Sequence, residues 1–518
     1  MKSILLCLLA GFIYAFGFPL TWAPSFFLMP ILGMALFMSQ FQVFNQKKQY
    51  HFGKEILCFF AFSFSIYLFG YYWIPYTMQE FGNIAFPLNY LVGSLFTLIA
   101  LPQYLIFFIL YYFLKKNIKS PIPLYLLAFI LTCFDYFTPQ QFPAHIGHSW
   151  IQLGSHLKLA QIFGYSIYSF TSYWAALGLL QWFTQKKLHW ASFANLAIVL
   201  ILSFSLPIKP SAKNSQTTQI RMVQANIGNF LKVDSEKGGV VSRQVVDKRY
   251  YKLSTKKSDK PLDLIIWPET SYPRLLSSSM LEKAPHLLPR VIKRVSELTG
   301  AEIFFGGYDR NSKAKMFSQF ESEYNTGFFL DDQGVLKDYY HKIKLIPFGE
   351  GLPFGALNES LSRYLTNISF FAKGERYPLF KTRKDIPFIN LICYEILFPR
   401  FVLNFLNNVK QKPQFIINLT NDSWYGDTSE PYHHLLLSKW RAVELDLAVV
   451  RMTNTGISSV IYPDGSESRR TGIYSQENLD HELITYNSPK TIYQKLGFLS
   501  LTILVILIGL VGKLLKRS

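Results

Sequence analysis

Asn390-Leu391-Ile392-Cys393-Tyr394-Glu395 is an apolar run that ends in a thiol, an aromatic ring and a carboxylate. The run that begins at Pro387 has the pattern of a buried strand, and Pro399 indicates a new element. Cys393 is therefore expected where a strand passes into a turn or helix, a place that often carries functional side chains. Taken alone, a small cysteine can also simply fill a core, and that alternative has to be weighed.

Two other strand ends favour a chemical role for this thiol. Residues 264–267 have the pattern of a buried strand, which stops at Pro268 with Glu269 directly behind it. Lys342 follows a further strand pattern in the same way, with Lys344 as its nearest rival. A thiol is mostly protonated at neutral pH, so a nucleophilic cysteine needs a base and a nearby cation. Glu269 and Lys342 are the candidates for these two roles.

The motifs around these residues resemble those of the nitrilase superfamily, whose members carry a Glu-Lys-Cys triad on an αββα sandwich. Together with the apolar segments described below, three later stretches narrow the resemblance to the membrane-bound apolipoprotein N-acyltransferases of bacteria. The motifs that carry the resemblance are Trp267-Pro268-Glu269, Lys342 with Pro347-Phe348-Gly349-Glu350, Cys393-Tyr394-Glu395, Asn421-Asp422-Ser423-Trp424-Tyr425-Gly426-Asp427, Arg441-Ala442-Val443-Glu444-Leu445 and Arg451-Met452-Thr453-Asn454-Thr455-Gly456-Ile457-Ser458.

The resemblance implies a catalytic triad of Glu269, Lys342 and Cys393, and the spacing of Lys342 to Glu350 favours it over Lys344. It also implies a two-step reaction. Cys393 takes the sn-1 acyl chain of a phospholipid, with phosphatidylethanolamine as the expected donor, and becomes a thioester. The α-amine of the diacylglyceryl-cysteine of an apolipoprotein then receives the chain as an amide. We expect neither a cofactor nor a metal in this reaction.

Supporting roles are implied for Glu350, Tyr394 and Glu395. By the resemblance, Glu350 supports Lys342 and the tetrahedral state, while Tyr394 and Glu395 shape the site. The family usually carries a tryptophan near the start of the arm at residues 226–260, where this chain has Val233. For that reason no gating role is carried over to this arm.

The composition points to a membrane protein independently of any motif. The chain of 518 residues is 50% hydrophobic and 17% aromatic, and only 16% of its residues are charged, against about 25% in soluble domains. Roughly eight apolar stretches approach the length of about 20 residues that a membrane span needs. They lie near residues 3–19, 25–42, 55–75, 87–112, 121–138, 160–183, 190–207 and 494–512, and Pro102 could break the fourth.

The basic residues of the connecting loops predict the orientation, because lysine and arginine accumulate on the cytoplasmic side. In an eight-span arrangement they fall on one side at positions 2, 47, 48, 54, 115, 116, 119, 186, 187, 513, 516 and 517. Both termini are then cytoplasmic. We expect spans one to seven in residues 1–207, a periplasmic αββα domain in residues 208–490, and the eighth span with a basic tail in residues 491–518.

The net charge of +19 does not indicate a nucleic-acid-binding protein. By count, about +8 lies in residues 208–492 and about +11 in the membrane part, where it reflects topology. No nucleic-acid motif is visible. Cys7, Cys58 and Cys133 fall in predicted spans, so Cys393 has no disulfide partner within its own domain. A lone thiol in an oxidising compartment favours a catalytic role.

Strand and helix patterns alternate in the middle of the chain, which predicts a layered α/β sandwich. Strands are expected at residues 218–227 and 301–305, a hairpin at residues 327–340 around a turn at 331–334, and helices at residues 281–298 and 433–447. The polar, lysine-rich stretch 226–260 is expected to be a mobile arm.

Several histidines and one acid in the sequence could suggest a metal site. Asp135 lies in a predicted span, where we favour a structural role near the outer end. His145 and His148 follow it in a loop, but no second cluster completes a coordination shell there. His433 and His434 stand at a helix start, where the metal-ligand interpretation is the weaker one. The sequence therefore predicts no metal.

The segment from Phe354 to Phe371 is too apolar for an ordinary loop, and above a bilayer we expect a lid over acyl chains. Two alternatives remain open for the chain as a whole. One is a membrane-tethered amidase that hydrolyses a small amide through the same triad. The other is a non-catalytic lipid-binding protein, against which the complete set of Glu269, Lys342 and Cys393 argues. We expect a monomer in the inner membrane of a Gram-negative bacterium.

Overall fold

The structure, a computed structural model, describes residues 1–41, 52–80, 84–95, 101–114, 122–143, 145–208, 215–314, 320–365 and 368–514. The first part of the chain is helical. Its α-helices are Lys2–Ala15, Met29–Met38, Phe52–Gly70, Ile74–Glu80, Leu88–Leu95, Pro102–Leu114, Leu124–Phe137, Ala160–Phe163, Ser166–Gln185 and Trp190–Ser205, and Ile146–His156 is a 3₁₀ segment.

The prediction of eight membrane spans is not confirmed by helix length. Among the described residues, Phe52–Gly70 is the helix that is long and apolar enough to cross a membrane, and five other apolar helices have 10–17 residues. Among its described residues, the fourth predicted span contains the helices Leu88–Leu95 and Pro102–Leu114, and the latter begins at Pro102. Proline is accepted at a helix start because the missing N–H would have no partner there.

The first three helices pack closely because glycines line their contacts. A Cβ atom on Gly11 would lie 2.4 Å from the carbonyl oxygen of Phe62, and one on Gly33 would lie 2.7 Å from that of Ala10. Such short approaches of two backbones are possible only without a side chain, as in helix contacts of membrane proteins generally. The helical part therefore forms a packed bundle, and its buried residues are continuous with part of the core of the β-sheet domain that follows.

Two β-sheets follow the helices. The strands are β1 Ser215–Gln224, β2 Leu264–Ile266, β3 Leu275–Leu276, β4 Glu302–Arg310, β5 Glu323–Leu330, β6 Leu336–His341, β7 Phe380–Lys381, β8 Pro387–Ile392, β9 Phe415–Thr420, β10 Ala448–Thr453, β11 Ser459–Ile461 and β12 Glu477–Tyr486. The seven-stranded sheet runs in the order β12-β1-β2-β4-β5-β6, with β3 paired to β4, and the five-stranded sheet runs in the order β11-β10-β9-β8-β7.

The two sheets face each other across a phenylalanine core. The rings of Phe304 and Phe329 from the first sheet lie 5.2 to 5.9 Å from those of Phe380 and Phe388 in the second. Neighbours of Phe304 in β4 point to the opposite face of the sheet, as strand geometry requires. There they pack on the helices Val240–Ser254 and Arg290–Thr299.

Helices also cover the second sheet, which completes an αββα sandwich and confirms the predicted layering. They are Pro399–Asn408 and Glu430–Leu445. The hairpin is confirmed too, because β5 and β6 pair antiparallel through the expected turn. The chain continues after β12 with the helices Ile492–Leu496 and Leu499–Leu514.

One prediction about the sandwich is wrong, and one segment contains helices that the sequence did not indicate. Residues 281–298 do not form one helix, because Pro285 and Pro289 divide them into Ser278–Lys283, a 3₁₀ turn and Arg290–Thr299. The stretch 226–260, expected as a mobile arm, contains the helices Asn229–Glu236 and Val240–Ser254. Its buried Val246, Tyr250 and Leu253 recur at helical spacing, which the many lysines around them obscured.

Contacts between the helical bundle and the sandwich are polar as well as apolar. The indole Nε1 of Trp440 donates to the carbonyl of His148 at 3.0 Å. The backbone N–H of Tyr165 donates to Glu444 Oε1 at 2.7 Å. Both pairs are buried. The helix Glu430–Leu445 is thus fixed against the bundle, and it lies beside the site described next.

Candidate active site

Cys393 occupies a strained turn at the end of β8, as its position in the sequence predicted. The strand ends at Ile392, and a 3₁₀ helix, Cys393–Leu397, begins at the cysteine itself. The φ angle of Cys393 is +49°. A residue with a side chain pays roughly 1–3 kcal/mol for this backbone region, so the surroundings must hold it there. Only 4% of Cys393 is exposed.

Glu269 lies just past β2, and a glycine on the neighbouring strand makes room for its loop. A Cβ atom on Gly306 would lie 2.5 Å from the carbonyl oxygen of Pro268 and 2.6 Å from the Cα atom of Glu269. The next residue, Thr270, has a φ angle of +46°. The loop therefore turns sharply at the strand end and leaves the Glu269 carboxylate buried in the site.

Lys342 follows β6 and joins two carboxylates. Its Nζ atom lies 3.2 Å from Glu269 Oε1 and 2.8 Å from Glu350 Oε1. The lysine is fully buried. The rival Lys344 lies elsewhere, with its Nζ atom 4.1 Å from the ring centre of Phe398. The structure thus brings together Glu269, Lys342 and Glu350 and leaves Lys344 outside the group.

Glu395 connects the lysine loop to the cysteine turn. Its Oε1 atom accepts hydrogen bonds from the two backbone N–H groups that follow Lys342, at 2.8 and 2.9 Å. Its Oε2 atom accepts from the N–H of Ile392 at 2.8 Å, and the Tyr340 hydroxyl donates to both oxygens. One fully buried carboxyl group therefore sets the position of Lys342 relative to Cys393.

Tyr394 joins the same turn to the helical part of the chain. Its hydroxyl donates to the carbonyl of Gln141, in the loop between two helices of the bundle. Its ring packs edge-on against Phe398 at 4.6 Å. The predicted supporting residues Tyr394 and Glu395 thus both contact the segments that frame Cys393.

Charge and burial set the protonation states in the site. Burial and the charge of Glu269 raise the pKa of the Cys393 thiol, although Lys342 and a hydrogen bond from Thr420 act against them. Burial alone would lower the pKa of Lys342, but Glu269 and Glu350 outweigh it and raise the pKa above its usual value. The resting site accordingly holds a protonated thiol beside a charged lysine, so the thiol needs a base.

Three polar residues of the site were missed at the level of sequence. Asn325 donates its amide to Glu269 Oε1 at 2.8 Å and to Glu350 Oε1 at 3.1 Å. Asn418 donates to the carbonyl of Cys393 at 3.4 Å, and Thr420 reaches the thiol. All three lie inside β5 or β9. A polar residue within a strand does not indicate from the sequence alone which distant side chain it contacts.

One group of side chains has the composition of a metal site. Asp422, Glu430 and His434 are buried, and one ligand atom from each lies within 4.8 Å of the others. These residues could hold a cation, in contrast to the prediction of no metal.

A second pair of polar side chains lies within the helical part of the chain. His145 Nδ1 lies 3.7 Å from Asp135 Oδ1, so the loop that carries His145 packs beside the predicted span that contains Asp135.

Two protein families match this chain. A carbon-nitrogen hydrolase family model matches residues 220–477, and a model of the apolipoprotein N-acyltransferase N-terminal domain matches residues 10–178. The apolipoprotein N-acyltransferase of Rickettsia prowazekii is 28% identical, covering 99% of each chain. That of Bdellovibrio bacteriovorus is 28% identical over 88% of this chain and 85% of the relative. That of Haemophilus influenzae is 26% identical over 98% and 93%.

The chain belongs to the apolipoprotein N-acyltransferase family. The two family models match most of the helical bundle and of the sandwich, and the relative from Rickettsia prowazekii covers both parts. The resemblance to apolipoprotein N-acyltransferases that the motifs indicated is therefore confirmed. Glu269, Lys342, Glu350 and Cys393 all fall within the carbon-nitrogen hydrolase match, and their individual roles stay a prediction.

Proposed function

We propose that this chain is a lipoprotein N-acyltransferase that moves the sn-1 acyl chain of a phospholipid onto the α-amine of an apolipoprotein's diacylglyceryl-cysteine. One observation carries the proposal beyond family membership. A fully buried Lys342 joins Glu269 and Glu350, and the charges of Glu269 and Lys342 both act on the Cys393 thiol. A base and a cation whose charges act on a thiol are what covalent acyl transfer requires.

In the first step Glu269 takes the thiol proton, and the Cys393 sulfur attacks the ester carbonyl of the phospholipid. The C–O bond of the tetrahedral adduct then breaks. Glu269 returns the proton to the departing oxygen, so a lysophospholipid leaves and Cys393 holds a thioester. The raised pKa of the thiol fits this order, because a thiol that is protonated at rest has to lose its proton during the attack.

In the second step the amine of the lipoprotein attacks the thioester. Glu269 accepts a proton from the amine, the C–S bond breaks, and the thiolate takes the proton back. The products are an amide and the free Cys393. Lys342 and the backbone N–H of Tyr394 stabilise the oxyanion in both steps, and one such donor commonly contributes about 3–4 kcal/mol.

The domain division and topology remain part of the proposal. Spans one to seven in residues 1–207, the periplasmic domain in 208–490 and the eighth span in 491–518 fit an enzyme whose two substrates are anchored in a bilayer. Several basic positions behind the orientation, namely 47, 48, 115, 116, 119, 516 and 517, lie outside the described residues. We further propose phosphatidylethanolamine as donor, an inner-membrane location and a monomeric enzyme.

The proposed lid covers a shorter segment than the residues 354–371 that the sequence suggested. Phe354, Leu357 and Tyr364 are exposed by 49%, 64% and 83%, which leaves an apolar surface without cover in the described chain. Phe370 and Phe371, at the other end of the segment, are buried instead. We place the surface that meets acyl chains at residues 354–365, around the short helix Leu357–Ser362.

The decisive experiment follows a labelled sn-1 chain from phosphatidylethanolamine in detergent. Without lipoprotein, the enzyme should accumulate a hydroxylamine-sensitive label on Cys393, and Cys393→Ala should carry none. Glu269→Gln should fail to acylate because the thiol loses its base, and Lys342→Met should acylate slowly. A diacylated lipopeptide should then discharge the label into an amide. Loss of the label to water at the same rate would identify the tethered amidase instead.

A further inference from the structure

A buried polar group lies behind Cys393 and takes no part in the steps above. Asp422 follows β9, and Glu430 and His434 stand one turn apart on the helix Glu430–Leu445. Each of the three is at most 2% exposed. Buried polar side chains are costly unless they hold one another or something else in place.

His434 holds the nucleophile's own peptide group. Its Nε2 atom lies 3.3 Å from the carbonyl oxygen of Cys393, and the Asn418 amide donates to the same oxygen at 3.4 Å. Two side chains, one from the covering helix and one from β9, thus converge on one carbonyl. That carbonyl belongs to a residue in a strained backbone region, which needs such support.

Fixing the carbonyl oxygen of Cys393 also fixes the orientation of the Tyr394 N–H, the proposed oxyanion donor. The carbonyl of Cys393 and the N–H of Tyr394 belong to the same peptide group, which is planar and trans, so they point in opposite directions. Fixing the oxygen therefore fixes the direction of the N–H on the other side. An oxyanion hole is effective only when its donors already point at the place where charge develops.

The other ring nitrogen of His434 is held by two acids. His434 Nδ1 lies 3.5 Å from Asp422 Oδ1 and 3.7 Å from Glu430 Oε1. Arg451 Nη2 lies 2.7 Å from the second oxygen of Asp422 and neutralises it. Neither oxygen of Glu430 has a hydrogen-bond partner among the described residues. Two buried carboxyl groups therefore flank Nδ1 and restrict the rotation of the ring.

The geometry makes His434 a donor toward Cys393. A carbonyl oxygen can only accept a hydrogen bond, so the contact of 3.3 Å between this oxygen and His434 Nε2 places a hydrogen on Nε2. The acids on the far side of the ring contact Nδ1 and not Nε2, so they hold the ring without competing for this hydrogen bond.

We propose that His434 is a positioning residue: it anchors the Cys393 carbonyl and thereby aims the Tyr394 N–H at the oxyanion, with Glu430 and Asp422 fixing the ring. The proposal rests on the acyl-transfer function proposed above. It assigns His434 no contact with substrate. It therefore predicts a loss in the rate of acylation without a loss in phospholipid binding or in the reactivity of the thiol.

The test compares variants of the full-length enzyme in detergent. His434→Leu removes the donor, and His434→Gln offers an amide N–H that can reach the same carbonyl. His433→Leu is the matched control, because His433 is the adjacent buried histidine on the same helix and contacts Pro19 instead. For each variant we would measure kcat and KM for acylation by labelled phospholipid, and the rate of Cys393 alkylation by iodoacetamide.

We expect His434→Leu to lower kcat for acylation by about ten- to a hundredfold, less than the hundred- to thousandfold typical of deleting an oxyanion donor outright. KM and the alkylation rate should change less than about twofold, His434→Gln should recover much of the rate, and His433→Leu should resemble wild type. A parallel fall in alkylation and acylation, or no fall in kcat, would overturn the positioning role.

Two further results distinguish a failure of the His434 role from a failure of the proposed acyl transfer. If wild type forms no thioester, the proposed acyl transfer fails, whatever His434 does. If wild type acylates normally and the purified enzyme carries one equivalent of a tightly bound metal that Glu430→Gln removes, the three residues are ligands and the positioning proposal is wrong. A metal content near zero with the expected kcat pattern supports it.

Discussion

Asn325 shows why a site residue can escape sequence analysis although its partners do not. Glu269, Lys342 and Cys393 each stand at or just past the end of a strand, next to motifs that set them apart. Asn325 lies within β5, and nothing around it indicates that its amide meets Glu269 and Glu350. The partners are distant in sequence and meet only when the sheet places β5 next but one to β2, with β4 between them. The sequence thus reveals strand-end chemistry but not the neighbours that complete it.

Replacing Asn325 with leucine should slow acylation about tenfold or more. The amide is the neutral donor that two carboxylates share with Lys342. A hydrogen bond to a charged group contributes roughly 1.5–3 kcal/mol, and without it Glu269 is held less firmly as the base. The measurement is single-turnover formation of the Cys393 thioester. A wild-type rate in a correctly folded Asn325→Leu enzyme would contradict the role.

Glu395 gives the fold a pH dependence of defined sign. Burial is the main cause that raises its pKa from an ordinary 4.5 to about 7, and hydrogen bonds from backbone N–H groups only partly offset it. Between these values the folded state retains a proton that the unfolded state has lost. The stability that Glu395 contributes is therefore complete below about pH 4.5 and is lost as the pH rises toward 7.

Comparison of wild type with Glu395→Gln isolates this contribution. The shift corresponds to about 3 kcal/mol, as an order of magnitude. The melting temperature of wild type should fall more steeply than that of Glu395→Gln when the pH is raised from 5 to 7.5. The variant should also be less stable at pH 5, because one amide N–H replaces an acceptor. Parallel pH profiles of the two proteins would show that Glu395 does not titrate in this range.

Helices and strands could be predicted where the residue pattern had one clear periodicity. They were missed where apolar residues at helical spacing were interrupted by prolines or surrounded by charged residues. The hairpin of β5 and β6 followed from alternating residues around an Asp-Asp-Gln-Gly turn. The segment 281–298 has apolar residues at helical spacing, but two prolines interrupt the hydrogen-bond ladder there. In the arm at 226–260 the charged residues hid a helix that buries Tyr250 against Trp267.

At the same scale, the lid proposal predicts a substrate-dependent effect. Leu357→Ser combined with Tyr364→Ser should slow acylation by long-chain phospholipid severalfold, because both side chains are exposed and apolar or aromatic. Turnover of a short, soluble ester and the melting temperature should stay near wild type. Phe371→Ser is the contrasting variant, since Phe371 packs on Tyr308 and its loss should lower stability. Equal losses on both esters would remove the case for a lid.

At the scale of the whole molecule, the sandwich could be inferred from motifs, whereas the helical part could only be outlined. Apolar runs reveal that helices are present, but their ends depend on glycine contacts and on loops that the hydropathy pattern does not encode. The structure shows one long apolar helix and several shorter ones in the described residues. The cysteine turn also depends on both parts, because Tyr394 bonds to Gln141 of the bundle.

The proposed orientation can be tested with two single exposed cysteines. Lys257 lies on the sandwich side and Lys187 in the loop between the helices Ser166–Gln185 and Trp190–Ser205, and both are exposed. Cys393 is too deeply buried to report topology with a bulky reagent. In spheroplasts, a membrane-impermeant maleimide should label Lys257→Cys but should reach Lys187→Cys only after permeabilisation, because lysine-rich loops stay in the cytoplasm. A reporter protein fused after Ser518 tests the position of the C-terminus, and it should behave as cytoplasmic. Labelling of Lys187→Cys in intact spheroplasts, or an external C-terminus, would show that the eight-span arrangement is wrong.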